Sequence, residues 1–307
     1  MGFEPSYINL LQNDTLLDKV NQAKEHYRYC NLCPHECGVD RTKNRGFCQA
    51  ADKVIVSSFG PHFGEESVLV GKNGSGTIFF GYCNMRCVFC QNFELSFGGV
   101  GTAISNEELS EIMLSIQNYY ECHNINLVSP THFVPNIIEA VYLASQKGLY
   151  LPLVYNCGGY EKIETLKLLD QVIDIYMPDF KYSSAERGKK YSQVADYPNK
   201  VKLALKEMDS QVGGLRVDEK GLAYRGLLIR HLVLPGGLED TKAVLRFINE
   251  ELSPDCLVNL MSQYYPSNRA FEYPEIAKRL SVSEYREAEN LAQKLGLRLR
   301  GFGHGGR

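Results

Sequence analysis

The chain has almost no excess of charge of either sign. Its 33 Lys and Arg stand against 36 Asp and Glu, a formal net charge of −3. That excludes a strongly basic nucleic-acid footprint and leaves room only for a local patch. Long apolar runs are also missing, because Gly, Pro, Cys or charge interrupts each of them well short of the roughly 20 residues a membrane helix needs. The opening stretch, MGFEPSYINLLQNDTLLDKV, carries acids early and lacks the apolar core of a secretion signal. No low-complexity linker or repeat family divides the sequence. What is present is an ordinary globular make-up, 44% hydrophobic and 22% charged over 307 residues, enough for one large or two modest cores. The expectation is a cytoplasmic protein with no membrane and no nucleic-acid partner.

Ten cysteines are too few for a disulfide scaffold in a chain this long. Clustered cysteines in a reducing compartment point instead to metal binding or redox chemistry. Seven of the ten fall in two groups, at 30–48 and 83–90. Cys122, Cys157 and Cys256 are scattered, and for Cys122 and Cys256 an inert buried thiol is the default.

Residues 1–29 read as polar and helical, a docking arm. Residues 30–74 are rich in Cys, Gly, Pro and charge, with no long helical period. From Thr77 an alternation begins. Strand-like runs at Thr77–Tyr82, Ile125–Val128, Leu151–Tyr155, Ile173–Met177, Leu227–Leu234 and Leu257–Met261 are separated by amphipathic helix patterns. Ser105 and Glu108 form a capping-box pair ahead of Leu109, Ile112, Met113 and Ile116. Pro135 opens a second helix that Gly148 should stop. Helices are also expected around Val244–Ile248 and over Ser281–Leu295, whereas 183–222 gives no clear pattern. Strands alternating with helices predict an α/β fold with a parallel sheet. About six units suit a partial or complete barrel, with a doubly wound sheet as the alternative. The expected division is an N-terminal arm and Cys-rich metal module at 1–74, a barrel at 75–300 and a flexible Gly-rich tail at 301–307.

Cys83, Cys87 and Cys90 read C-x3-C-x2-C directly after the first strand of the alternation, where the loops of a barrel or open sheet bind ligands. Three thiolates suit iron or zinc and leave one coordination position open for chemistry. The blander reading is a zinc site completed by His62 or His132.

The triplet, with Phe89 just before its last Cys, resembles the cluster motif of radical S-adenosylmethionine (radical SAM) enzymes. The runs GTIFFGYCNMRCVFCQN, LPLVYNCGGY, DIYMPDFKY and IRHLVLPG resemble successive strands of the pyruvate formate-lyase-activating-enzyme group, in its activating-enzyme-like branch. The resemblance implies a partial (βα)6 TIM-type barrel with an N-terminal Cys-rich extension. It also implies a [4Fe–4S] cluster on Cys83, Cys87 and Cys90 whose fourth iron is chelated by SAM. In that family one electron cleaves SAM to methionine and a 5′-deoxyadenosyl radical, which abstracts a hydrogen atom.

Carried over residue by residue, the resemblance places Phe89 near the adenine. Where the activating enzymes have Ser-Gly-Gly-Glu meeting the SAM amino group, this chain has Ser129-Pro130-Thr131-His132. Ser129, Thr131 and His132 become candidate contacts although the glycines and the acid are gone. Asn156 and Cys157 stand where those enzymes have Asp-Thr, beside the SAM carboxylate and a monovalent cation, and Asn156 puts the cation in doubt. Met177, Asp179 and Lys181 match residues of the same region, and Gln263 stands in place of a SAM-contacting His. The plain alternatives are an Asp179–Lys181 ion pair, an Asn156 turn before Gly158-Gly159, core packing for Met177 and a satisfied core histidine at His231.

The second group, Cys30, Cys33, Cys37 and Cys48, reads C-x2-C-x3-C-x10-C. Four thiolates make a closed site, structural or electron-carrying, holding zinc or a second iron–sulfur cluster. His35 is a spare donor that four cysteines make unnecessary. The functional expectation is an oxygen-sensitive radical SAM enzyme served by a one-electron donor such as flavodoxin or ferredoxin. Its hydrogen donor is either a partner protein, most concretely a glycyl radical enzyme, or a small molecule or other macromolecule. The competing class is an iron–sulfur carrier or zinc-bound interaction module without SAM turnover.

Overall fold

A computed structural model describes residues 3–299. The expected flexible tail at 301–307 lies outside the described residues. In chain order the elements are α1 (Ser6–Gln12), α2 (Thr15–Lys24), β1 (Val54–His62), α3 (Ser67–Val70), β2 (Ser75–Phe80), α4 (Phe93–Gly98), β3 (Thr102–Ile104), α5 (Asn106–Asn118), β4 (Ile125–Val128), α6 (Val134–Gln146), β5 (Leu153–Cys157), α7 (Ile163–Leu169), β6 (Ile175–Pro178), α8 (Ala185–Ser192), α9 (Tyr197–Val212), β7 (Arg216–Val217), β8 (Ala223–Leu232), α10 (Leu238–Glu251), β9 (Leu257–Met261) and α11 (Val282–Lys294).

The strands form one mixed sheet in the order β3-β1-β2-β4-β5-β6-β8-β7, with β9 beside β8. Within it β2, β4, β5, β6, β8 and β9 are mutually parallel neighbours. Each successive pair is joined by a helical crossover, which is the partial (βα)6 barrel. β9 and β2 are not hydrogen-bonded to one another, so the ring stays open. No helix among the described residues is long and apolar enough to cross a membrane.

Local signals account for most of these elements. The Ser105 side chain accepts from the Glu108 N–H at 3.1 Å, and Glu108 accepts from the Ser105 N–H at 2.7 Å, so the capping box closes in both directions. Ser281 and Glu284 repeat the device on α11. Pro135 sits in the first turn of α6, and Gly148 follows it at φ 91°, in the region that favours glycine. The unclear stretch 183–222 contains α8, α9 and β7.

The N-terminal stretch is helical as expected, but it packs against the barrel. Tyr7, Leu16 and Ala23 are fully buried in the main core, and the Ser6 N–H donates to Asp174 at the foot of β6. Within 30–74 the chain forms β1, which the sequence pattern does not announce and which pairs antiparallel with both β2 and β3. Only Val54-Ile55-Val56 alternates cleanly before an irregularity and the polar, Gly- and Pro-containing run to His62. The same stretch supplies a plug. Residues 67–70 form a single helical turn inside the barrel, where Leu69 is fully buried with Val154, Ile175, Met177, Leu228 and Leu257. The Asn124 side chain fixes the turn by donating to the Leu69 carbonyl at 2.8 Å. The chain before residue 75 therefore shares both the sheet and the bore of the barrel.

Candidate active site

Strand alternation builds the site. On β5, β6, β8 and β9 the inward positions are apolar near the plug and turn polar toward the C-terminal ends. Val154 gives way to Asn156, Leu228 to Arg230 and Leu257 to Asn259, while Asp179 follows β6. Above this layer lies a cavity of about 340 Å³.

Cys83, Cys87 and Cys90 all line the cavity, and all three are free thiols. Cys83 Sγ accepts from the Met85 N–H at 3.4 Å, Cys87 Sγ lies 3.0 Å from Ser192 Oγ, and the Cys90 thiol reaches Ser96 Oγ at 3.5 Å. Burial, reinforced by Cys87 and Cys90, pushes the Cys83 thiol up to about 12. Burial also raises Cys87, against the opposing charge of Lys181. Two buried thiols whose ionisation is disfavoured call for a cationic partner. Gly158 leaves room beside them, since a Cβ there would stand 2.8 Å from Met85 Sδ. Among the described residues no three His, Cys, Asp or Glu are gathered as a lone metal ion would need. An ion draws thiolates to about 2.3 Å, whereas a cluster interposes iron and sulfide between them. The open triplet and the space beside it fit a cluster with one face accessible.

Of the candidate cofactor contacts, Phe89, Ser129, Asn156, Asp179, Lys181 and Gln263 line the cavity, as does Cys157. Phe89 meets Tyr182 and Tyr264 edge-on. Ser129 adopts φ 57°, which turns the end of β4 into the cavity. Lys181 Nζ pairs with Asp179 at 2.6 Å, and Arg230 Nε pairs with Asp179 at 2.9 Å. Burial favours a neutral Asp179, but Arg230 and Lys181 outweigh it and hold the carboxyl below its ordinary value. The plain ion pair is thus real, and it faces the cavity. Asn156 lies within β5 rather than in a turn, and its side-chain Oδ1 accepts from Arg230 Nη2 at 2.7 Å.

Two candidates are corrected. Thr131 and His132 point away from the cavity, into the packing behind β4. The Thr131 hydroxyl donates to Glu161 at 2.7 Å. His132 Nε2 bonds the Gly81 carbonyl at 2.8 Å, and burial pushes its imidazole down to about 3, so it is neutral. The Ser-Pro step turns into a 3-10 coil that carries both side chains out of reach. Met177 is packed in the bore against Leu69, and His231 is a core histidine held by the Phe180 carbonyl and the Thr241 hydroxyl.

The polar residues of the cavity that were missed include Glu65, Glu66, Arg230 and Asn259. The Asn126 amide donates to Glu65 at 3.0 Å, Arg230 Nη1 lies 3.6 Å from Glu65, and the Asn259 amide donates to Glu66 at 2.6 Å. Glu66 thereby ties the plug to β9. Polar residues at inward positions of otherwise apolar strands were the available signal for Arg230 and Asn259. For the two acids nothing in the sequence disclosed that their loop enters the barrel.

Cys30, Cys33, Cys37 and Cys48 lie in the stretch 28–53, which has no strand and no helix. Burial raises the Cys30, Cys33 and Cys48 thiols, and the backbone at Leu32, His35 and Ala50, each two residues on, opposes that rise. A Cβ at Gly46 would lie 3.1 Å from Cys37 Sγ and 3.7 Å from Cys48 Sγ, so this glycine admits both sulfurs. The loop is pinned to the triplet loop. Arg86 donates to the Phe47 carbonyl at 3.0 Å, and the His35 ring stacks on Phe47 at 3.8 Å.

The family profile described as Radical SAM superfamily matches residues 77–209. The uncharacterised protein MJ0674 of Methanocaldococcus jannaschii is 35% identical over 298 residues, covering 92% of this chain and 80% of that protein. A second uncharacterised protein of that organism, MJ0808, is 22% identical over 282 residues, 83% of this chain and 78% of its own. Among solved structures, Streptococcus suis SuiB bound to precursor peptide SuiA matches with TM-score 0.47 and 12% identity, over 71% of this chain and 46% of SuiB. Native anSMEcpe with bound AdoMet and Cp18Cys peptide matches with TM-score 0.46 and 12% identity, over 72% of this chain and 60% of that one. The chain spans less than two thirds of either. With its first parallel strand delivering three free thiols to the cavity, and that profile running from the same strand onward, the chain belongs to the radical SAM superfamily.

Proposed function

We propose that the protein is a radical SAM enzyme whose cluster is held by Cys83, Cys87 and Cys90 and whose SAM lies in the adjoining cavity. When bound, the reduced [4Fe–4S] cluster supplies one electron to SAM, whose cleavage gives methionine and a carbon radical able to take a hydrogen atom from a substrate. The observation that carries this reading is the convergence of the three thiols and the Asn156–Arg230–Asp179–Lys181 network on one cavity. In this reading Lys181 and Arg230 meet a carboxylate, and Ser129, Asn156 and Asp179 meet an amino group or hydroxyls. Phe89 offers an apolar wall for a purine. Gly158 keeps the approach to the triplet free of side-chain bulk.

In this reading the hydrogen donor is a partner protein, most concretely the glycine of a glycyl radical enzyme. The order of the activating-enzyme-like runs supports that choice. The electron comes from an external donor of the flavodoxin or ferredoxin type. The four N-terminal thiols hold a second, closed centre, and since among the described residues no three of them are gathered as a lone zinc ion would need, an iron–sulfur cluster is favoured over zinc. The acceptor assignment is tested with a candidate partner deuterated at glycine. Deuterium appearing in 5′-deoxyadenosine supports the protein-directed activity, and deuterium arriving only from a labelled small molecule rejects it.

A further inference from the structure

We infer that Tyr182 and Ser192 form a buried hydroxyl relay that donates a hydrogen bond to Cys87 Sγ and makes the cluster on Cys83, Cys87 and Cys90 easier to reduce. This rests on the radical SAM reading of the triplet and adds the residues that tune its electron uptake.

Ser192 ends α8, and the last carbonyls of a helix have no partner inside it. Here the triplet loop supplies the donors. The Val88 N–H donates to the Tyr191 carbonyl at 2.8 Å, and the Arg86 N–H donates to the Ser192 carbonyl at 3.3 Å. These two bonds flank Cys87, whose sulfur lies 3.0 Å from Ser192 Oγ. On its other side Ser192 Oγ lies 2.8 Å from the Tyr182 hydroxyl. Tyr182 stands just past β6, and both residues are fully buried. The other two thiols have longer contacts, Cys83 with the Met85 N–H at 3.4 Å and Cys90 with Ser96 Oγ at 3.5 Å. Cys87 is therefore the ligand that the fold singles out.

The direction of the relay follows from where its hydrogens can go. Among the described residues, the Tyr182 hydroxyl has Ser192 Oγ as its one hydrogen-bond partner. A phenol is protonated at neutral pH. If the chain ran from sulfur to Ser192 to Tyr182, the phenol hydrogen would be buried without an acceptor, which is costly. Run from Tyr182 to Ser192 to sulfur, each hydroxyl hydrogen has an acceptor. A cluster thiolate, which can only accept, completes that order. Each hydroxyl also polarises the next, so the bond at sulfur is stronger than Ser192 alone would make it.

A donor to a ligand sulfur favours the cluster state with more negative charge. Reduction brings one electron from the external donor and moves no proton through the relay. The donated hydrogen bond therefore stabilises the reduced state more than the oxidised one, and hydrogen bonds to sulfur are among the levers that set such potentials.

The test is a redox titration of full-length, anaerobically reconstituted protein without SAM, followed by electron paramagnetic resonance. The signal absent from Cys87→Ala protein reports the triplet. Ser192→Ala should lower the midpoint potential by about 59 mV, a tenfold loss in the equilibrium for one-electron uptake, with iron and sulfide at the parent level. Tyr182→Phe should shift it the same way by less, and Ser192→Thr, which keeps the hydroxyl, should stay near the parent. A merely structural role predicts the opposite sign, because loosened packing admits water, which stabilises the more charged reduced state. A midpoint unchanged or raised in Ser192→Ala, or one lowered as far in Ser192→Thr, would overturn the inference and leave the radical SAM reading standing. A parent with no reducible cluster on the triplet would overturn both. If Ser192→Ala does not hold its cluster, Tyr182→Phe decides: a midpoint equal to the parent's refutes the relay.

Discussion

His35 and Asn84 join the two cysteine loops, the imidazole Nε2 donating to the Asn84 carbonyl at 2.8 Å. Asn84 lies between Cys83 and Met85, and its own amide donates to the Tyr160 carbonyl at 2.7 Å. The backbone that presents the triplet is therefore braced from the N-terminal loop on one side and from the end of β5 on the other. Burial lowers the His35 pKa and keeps the ring neutral, as a single donor to a carbonyl requires.

His35→Phe should keep the stacking on Phe47 and lose only this hydrogen bond. The expected cost is about 1 kcal/mol of stability, together with faster loss of iron from the triplet. Denaturant unfolding and iron release in one preparation check this. Unchanged iron release would uncouple the loops.

Arg230 holds Asp179 and Asn156 and approaches Glu65. Arg230→Met should leave Asp179 with Lys181 alone and the Asn156 amide without its arginine partner. We expect SAM affinity to fall at least ~10-fold and stability to fall by roughly 3 kcal/mol, since a buried pair loses one partner. Equilibrium binding of SAM to the reconstituted protein measures the first, and thermal melting the second.

Leu69 plugs the bore from a loop. Leu69→Ala should cost about 2–5 kcal/mol, because the surrounding strands cannot collapse into the space. It should also loosen Glu65 and Glu66, which are carried on the same segment, so SAM affinity should weaken in step with stability. Retained stability would show that the bore is filled by something else.

Asp174 accepts the Ser6 N–H at 2.9 Å and the Leu153 N–H at 3.1 Å. Burial raises its carboxyl from 3.8 to about 6, against those two donors. The folded state then binds the proton more readily than the unfolded one, so stability falls as pH rises from about 4 through 6 and the cost is complete above that window. A shift of this size corresponds to roughly 3 kcal/mol. Asp174→Asn should flatten that slope, at the expense of one accepted hydrogen bond. Urea unfolding between pH 4 and pH 7.5, with metal content held constant, decides. A slope unchanged in the variant would assign it to another group.

The barrel was legible because its strands are short apolar runs and its helices carry their own caps. Ile125–Val128 and Leu257–Met261 match the observed strands end to end, and the Ser105–Glu108 box is a local interaction that needs no tertiary context. β1 was not legible, because its pairing depends on β2 and β3 and its own alternation fails after Val56. The plug was hidden for a related reason, since Leu69 is buried by strands far away in sequence. Within the site, the triplet spacing and the Asp179–Lys181 alternation could be read directly. The positions Thr131 and His132 were misplaced because a 3-10 turn at Pro130, not a strand end, sets their direction.

The proposed role of Cys83, Cys87 and Cys90 is to equip this protein to cleave SAM. The direct measurement is 5′-deoxyadenosine formed when anaerobically reconstituted protein is mixed with dithionite and SAM, compared with a Cys87→Ala protein prepared the same way. The predicted result is deoxyadenosine from the parent and none above background from the variant. Equal yields, or no deoxyadenosine from a parent shown to contain iron and sulfide, would contradict it.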